Sequence, residues 1–317
     1  MAQSGILFMV LACLIALVSG CAQPVPFGAV QPAPPATATP PVAPPSAESR
    51  ALRRHYRQVQ ADLLGQGLLR QDRGGPDVPF NARNLTDNFI KIALFEEYTR
   101  SGGRLIAKQA PTVLKRWDQP VRVSVQFGPS VPDATRQSDT TTVARYTRQL
   151  ARATGHPVSF SNNDPNFFVL ILSEDERRGV GPQLHQLMPG IDDSTVRQIE
   201  GLGREIFCVV STFSTGSDTQ FRKAVAVIRA EHPDLLRTAC LHEEIAQGLG
   251  LSNDSPAARP SIFNDDEEFG LLTEHDELLL RILYDDRLVP GMTAAQARPI
   301  VANLASELLE ETMGGDS

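Results

Sequence analysis

The chain has 317 residues, a formal net charge of -7 and 41% hydrophobic residues, enough for one large domain or two with a sizeable core. Its Lys and Arg residues form no basic patch with interleaved aromatics, which argues against nucleic-acid binding. No nucleophile elbow, phosphate-binding loop or dinucleotide fingerprint is present, so those chemistries have no support.

Residues 1–21 read as a targeting segment. Ile6 to Val18 is apolar and too short for a comfortable membrane span. It ends in Val18-Ser19-Gly20-Cys21, which resembles a bacterial lipobox. That resemblance implies lipid on the Cys21 sulfur and cleavage before it. Ala22 after the cysteine then implies the outer membrane of a Gram-negative envelope, with the protein facing the periplasm. The alternative is an ordinary secretory signal, since no Lys or Arg precedes the apolar run. Residues 22–46 follow as a tether: nine prolines lie between Pro24 and Pro45, a composition that favours an extended, semi-rigid chain. Such a tether would hold a domain away from a bilayer.

From 47 to 105 the sequence predicts a helical extension. Glu48 to Leu69 has apolar residues at helical spacing, as in an exposed amphipathic helix. A second helix runs from the caps in Asn84–Asn88 to about Tyr98, stopped by Gly102-Gly103. The main domain is placed at 106–317. Strands are expected at Val121–Phe127, Val158–Phe160, Phe167–Leu172, Ile206–Phe213 and Ala224–Arg229. Helices are expected at Thr140–Ala153, Asp192–Leu202, Leu235–Leu249, Glu274–Tyr284 and Thr293–Glu311. This order suits an α+β fold, a mixed β-sheet with packed helices. With Cys13 in the signal and Cys21 lipidated, Cys208 and Cys240 remain. In an exported domain they are most simply a disulfide, with two buried thiols as the alternative.

The most informative stretch is His242-Glu-Glu-Ile-Ala-Gln-Gly-Leu-Gly-Leu-Ser-Asn-Asp254. It resembles the zinc-binding helix and turn of metzincin peptidases, aligned on Leu249-Gly250-Leu251. In that alignment the three ligand histidines fall on Glu243, Gln247 and Asn253. The catalytic glutamate falls on Glu244 and the trailing aspartate on Asp254. Ser261-Ile-Phe-Asn264 resembles the turn beneath the metal, with Phe263 at its methionine position, and Leu272-Thr-Glu-His-Asp276 with Leu283-Tyr284 continues the likeness. The resemblance implies a zincin-like fold over roughly residues 120 to 290. The mature chain also resembles a family of exported Gram-negative proteins of unknown function, through CLHEEIAQGLGLSND, SIFNDDEEFGLLTEHD and LYDDRLVPGM.

Amides are poor zinc donors, so no metal or other cofactor is expected. Glu243, Gln247 and Asn253 are instead expected to form a hydrogen-bonded polar cluster, and His242 and Glu244 an exposed pair. Glu244 would act as a general base only if a cleft raises its pKa. Gly250, Asp254, Ser261, Phe263, Asn264, His275 and Asp276 complete the candidate cleft and turn. Asp265–Glu268 reads as a solvated acidic loop, since it lacks the alternating ligands of a calcium loop. Three functions are open: a non-catalytic, lipid-anchored domain that binds a peptide or envelope protein; a divergent zinc peptidase using Glu243 with His275 and Asp276; and an envelope structural protein without a ligand, whose helical extension before Leu105 and C-terminal helix serve assembly.

Overall fold

The computed structural model describes residues 43–101, 104–214, 219–264 and 266–314. The targeting segment with Cys21, nearly all of the proline-rich tether, Gly102-Gly103 and Asp265 lie outside the described residues.

Helix α1 (Ala47–Gly65) begins at Ser46, whose side chain accepts from the Ser49 N–H. It is not an exposed helix throughout, because Tyr56 is fully buried beside Leu69, Leu236 and Ala239. Helix α2 (Ala82–Ala93) opens on a reciprocal capping box between Asn81 and Asn84 and buries Leu85, Phe89 and Ile92. It ends well before Tyr98. The aromatic and β-branched residues that follow form strand β1 (Phe95–Ser101), antiparallel to β2 (Arg104–Pro111). The expected boundary at 105/106 therefore falls inside a hairpin, and α2 packs with the main domain.

After β3 (Arg116–Trp117), strand β4 (Val121–Phe127) leads into α3 (Asp133–Thr154), β5 (Val158–Phe160) and β6 (Phe167–Leu172). An excursion of three short helices follows: α4 (Glu174–Arg177), α5 (Gly181–Leu187) and α6 (Asp193–Glu200). Then come β7 (Cys208–Phe213), β8 (Gln220–Phe221), β9 (Lys223–Arg229), α7 (Asp234–Gln247), α8 (Glu274–Leu283) and α9 (Ala294–Gly314).

The main sheet has the order β5-β4-β6-β9-β7. Its first four strands are parallel, and β7 runs antiparallel to β9 at the edge. Strand β6 is buried on both faces, which is why it reads as an unbroken apolar run. Phe167, Val169 and Ile171 join the core shared with α3 and α7, while Phe168, Leu170 and Leu172 join the one shared with α5 and α6. Each such fully buried side chain contributes roughly 1.5–3 kcal/mol, so this strand anchors both layers.

Helix α9 packs mainly on α2. Its Ala297, Val301, Leu304, Ala305 and Leu308 are buried in the core, so its apolar face is packed within the chain. Among the described residues no helix is long and apolar enough to cross a membrane. The fold is α+β, a mixed sheet with packed helices and a leading helix, as the order of elements predicts.

Candidate cleft along the edge strand

Helix α7 buries Leu236, Leu241, Ile245 and Ala246 in the core and turns Glu243, Glu244 and Gln247 toward a cleft of ≈ 630 Å³. The chain leaves the helix through Gly248 and Gly250. The Gly250 φ of 129° is open to glycine, and an added Cβ would sit 2.5 Å from the Lys115 carbonyl oxygen. The turn is held from two sides: Trp117 Nε1 donates to the Gly248 carbonyl at 2.8 Å, and the Tyr284 hydroxyl to the Leu249 carbonyl at 3.0 Å.

All six residues of β7 line the cleft, with Thr195, Gln198 and Ile199 of α6 on its other side. The cleft thus wraps the edge of the sheet. Cys208 at the start of β7 is disulfide-bonded to Cys240 in α7, with Cα atoms 5.9 Å apart.

The motif positions separate in space. Gln247 Nε2 donates to Asp254 Oδ1 at 3.0 Å. Asn253 turns to α2 instead: its N–H donates to the Ile92 carbonyl at 3.1 Å and its Nδ2 to the Lys91 carbonyl at 2.8 Å. Carbonyls in the last turn of a helix lack intrahelical partners, so Asn253 satisfies two of them and is fully buried doing so. The expected cluster of Glu243, Gln247 and Asn253 is replaced by a Gln247–Asp254 pair and a helix clamp.

His242 and Glu244 are not an exposed pair. They lie about 200° apart on the helix, so they face opposite ways. Glu244 is only 4% exposed and lines the cleft. The His242 ring stacks on Tyr146 with centroids 3.9 Å apart, and its Nδ1 accepts from the Leu272 N–H at 3.2 Å. Burial, then the nearby Arg145 charge, pushes the imidazole down to about 3, so it is neutral at physiological pH.

The set of Glu243, His275 and Asp276 is not assembled, for neither of the last two lines the cleft. Both are fully buried at the start of α8. Asp276 accepts from Ser261 Oγ at 2.5 Å, the Ile262 N–H at 3.0 Å, the Thr273 N–H at 3.0 Å and Thr273 Oγ1 at 2.8 Å. His275 Nε2 lies 3.0 Å from Asn88 Nδ2. Ser261, Phe263 and Asn264 are likewise structural. The Phe263 N–H donates to Ser261 Oγ and its carbonyl accepts from the Ser255 N–H, while Asn264 Nδ2 donates to the Ala258 carbonyl.

Among the described residues, one group has metal-ligand spacing: the sulfur of Cys208 and the carboxylates of Glu243 and Glu244 lie within 4.8 Å of one another. The sulfur is committed to the disulfide and offers no thiolate. Two carboxylates from adjacent residues remain, beside an amide already bonded to Asp254. This donor set does not fit zinc.

The sequence reading missed much of the cleft. Glu96, Lys115, Asp192 and Glu205 also line it, and Lys115 Nζ pairs with Glu96 Oε1 at 2.7 Å. They come from segments with no shared motif. Also unforeseen is a buried ion cluster behind the wall. Glu174 bonds Arg177 at 2.7 Å and Arg229 at 2.6 Å, and Arg229 Nη2 donates to the Leu202 and Gly203 carbonyls at 3.0 and 2.6 Å. Arg177 Nη1 donates to the Ile199 carbonyl.

These features define an α+β domain with a cleft along its sheet edge. The chain belongs to the family described as "Protein of unknown function (DUF2927)", whose model matches residues 82–303. That span runs from α2 into α9 and holds the whole cleft lining. No curated protein and no solved structure matches the chain.

Proposed function

We propose that this chain is a non-catalytic binding domain of metzincin-like architecture, held at the bacterial envelope by lipid on Cys21, that takes an extended peptide or envelope-protein segment. The observation that carries the reading is strand β7. It is the last strand of the sheet, it is antiparallel to its neighbour, and every one of its residues faces the cleft. An edge strand in a cleft is a ready template for strand addition. The metzincin likeness is supported by the lone antiparallel edge strand, the glycine-broken α7 and the Ser261–Asn264 turn. The absence of catalysis is supported by Gln247 and Asn253, whose amides are engaged with Asp254 and with α2.

The test is retention of extended peptides by the mature chain, purified from periplasm and assayed with and without EDTA, together with its metal content. Chelator-resistant binding without bound metal supports the reading. About one zinc per chain, with peptide cleavage lost in Glu244→Gln, would install the divergent peptidase in its place. Retention of no envelope peptide would overturn the binding function. The lipid anchor has its own measurement: Cys21→Ser should move the protein from the membrane to the soluble envelope fraction, and unchanged membrane association would exclude lipid at that residue.

A further inference from the structure

Resting on the reading that puts lipid on Cys21, we infer that the outer face of α1 is a second contact with the envelope, a basic stripe that lies on a bilayer surface of anionic phospholipid headgroups. Arg50, Arg53, Arg54 and Arg57 recur at helical spacing, so they cover an arc of roughly 100° on one side of the helix. None of the four forms an ion pair among the described residues, and Arg50, Arg54 and Arg57 are exposed. The chain as a whole carries a net charge of -7, so an anionic surface favours the orientation that presents this stripe.

The opposite face of the helix is fixed to the domain, which turns the stripe outward. Tyr56 is fully buried and its hydroxyl donates to the Arg204 carbonyl at 2.9 Å. Ser49 Oγ donates to Glu231 Oε1 at 2.6 Å, and Gln60 Oε1 accepts from the Leu236 N–H at 3.0 Å. The two acids of the helix, Glu48 and Asp62, stand roughly 160° and 120° around from Arg50, outside the arc. Glu48 is in any case paired with Arg178 at 2.6 Å. Ala61 and Leu64 continue the arc toward the C-terminal end, and Leu64 is 46% exposed. An exposed apolar side chain beside arginines suits the boundary between headgroups and acyl chains. A nucleic acid fits the stripe less well, because Tyr56 is turned inward and offers bases no stacking face. Residues 22–46 alone separate Cys21 from α1 in sequence, so lipid at Cys21 raises the effective concentration of this face at the bilayer.

The test uses the mature chain carrying Cys21→Ser, so that no lipid contributes, in cosedimentation with vesicles of phosphatidylcholine alone or with about 30% phosphatidylglycerol. At about 50 mM salt the anionic vesicles should bind it at least about tenfold more tightly than the neutral ones, and the difference should shrink at about 500 mM. The triple variant Arg50→Gln, Arg54→Gln, Arg57→Gln should remove most of the preference, since each basic residue near such a surface contributes a factor of about five. Its thermal midpoint should not change, because the three side chains are exposed and form no ion pair. Helix α3 also exposes Arg145, Arg148 and Arg152; their replacement by Gln removes equal charge and should leave the preference within about twofold. Equal binding to both vesicles, or to neither, would overturn the membrane face and leave the lipid and peptide readings standing. Equal losses in the two triple variants would assign the attraction to net charge and overturn α1 as its source. In native envelopes a wash at about 500 mM salt separates the two contacts, since it strips attachment through α1 and not attachment through lipid.

Discussion

Replacing Glu174 with Gln is expected to lower the stability of the folded chain by about 3–5 kcal/mol, the range for breaking a buried ion pair from one side. Glu174 is 3% exposed, and its carboxylate lies between Arg177 and Arg229, both 1% exposed. Burial alone would raise its pKa. The hydrogen bonds from Arg177 and Arg178 and the charge of Arg229 outweigh burial and hold it below the usual carboxylate range, so it is ionised at neutral pH. The amide of Gln keeps the shape and loses the charge, leaving two buried guanidinium groups with less compensation. Glu231 remains nearby, but its carboxyl already accepts from Ser49 Oγ at 2.6 Å and the Glu174 N–H at 2.8 Å, and burial raises its pKa. Urea denaturation would measure the change, and a loss under about 1 kcal/mol would show the cluster to be dispensable. Because Arg177 and Arg229 hold the carbonyls of Ile199, Leu202 and Gly203, the same variant should loosen the wall that carries Ile199 and Leu202. On the proposed peptide-binding reading, binding should therefore weaken even where the fold survives.

The sheet was legible in the sequence where one physical signal dominated. Val121–Phe127 alternates with period two and Phe167–Leu172 is apolar throughout, and both strands have the expected bounds. The end of α2 was not legible, since Leu94 and Phe95 extend its apolar pattern while the strand pairing that claims Phe95 comes from Pro111. Helices α4 and α5 are too short for periodicity to register. The motif gave the position of the cleft but not its contents. Three of its positions, Glu243, Glu244 and Gln247, line the cleft. The fate of Asn253 depended on the unsatisfied end of α2, more than 150 residues away in sequence. Glu96, Asp192 and Glu205 were invisible, because they converge on the motif only after the chain folds.

Removal of the Cys208–Cys240 disulfide is the second large effect, and it bears directly on the cleft. The bond closes a separation of 32 residues, for which loop-closure entropy gives roughly 3–4 kcal/mol of stabilisation. The double variant Cys208→Ala, Cys240→Ala is the appropriate measurement, since a single replacement leaves a reactive thiol. Guanidinium denaturation should show a loss of that size, and an unchanged midpoint would contradict it. Beside the bond, His232 Nδ1 lies 3.8 Å from Cys240 Sγ, and burial and then Arg229 and Arg237 hold that imidazole well below its usual pKa, and so neutral. The effect on binding follows from topology. Among the described residues strand β7 is paired on one side only, from Cys208 opposite Ile228 to Phe213 opposite Lys223, and the disulfide ties its first residue to α7. Without the bond the ladder to β9 can still form, so the fold should persist while the start of the strand frays. On the proposed peptide-binding reading, affinity should then fall, because the incoming strand must order part of its own template. Unchanged affinity in the double variant would show that the β9 ladder alone positions the edge.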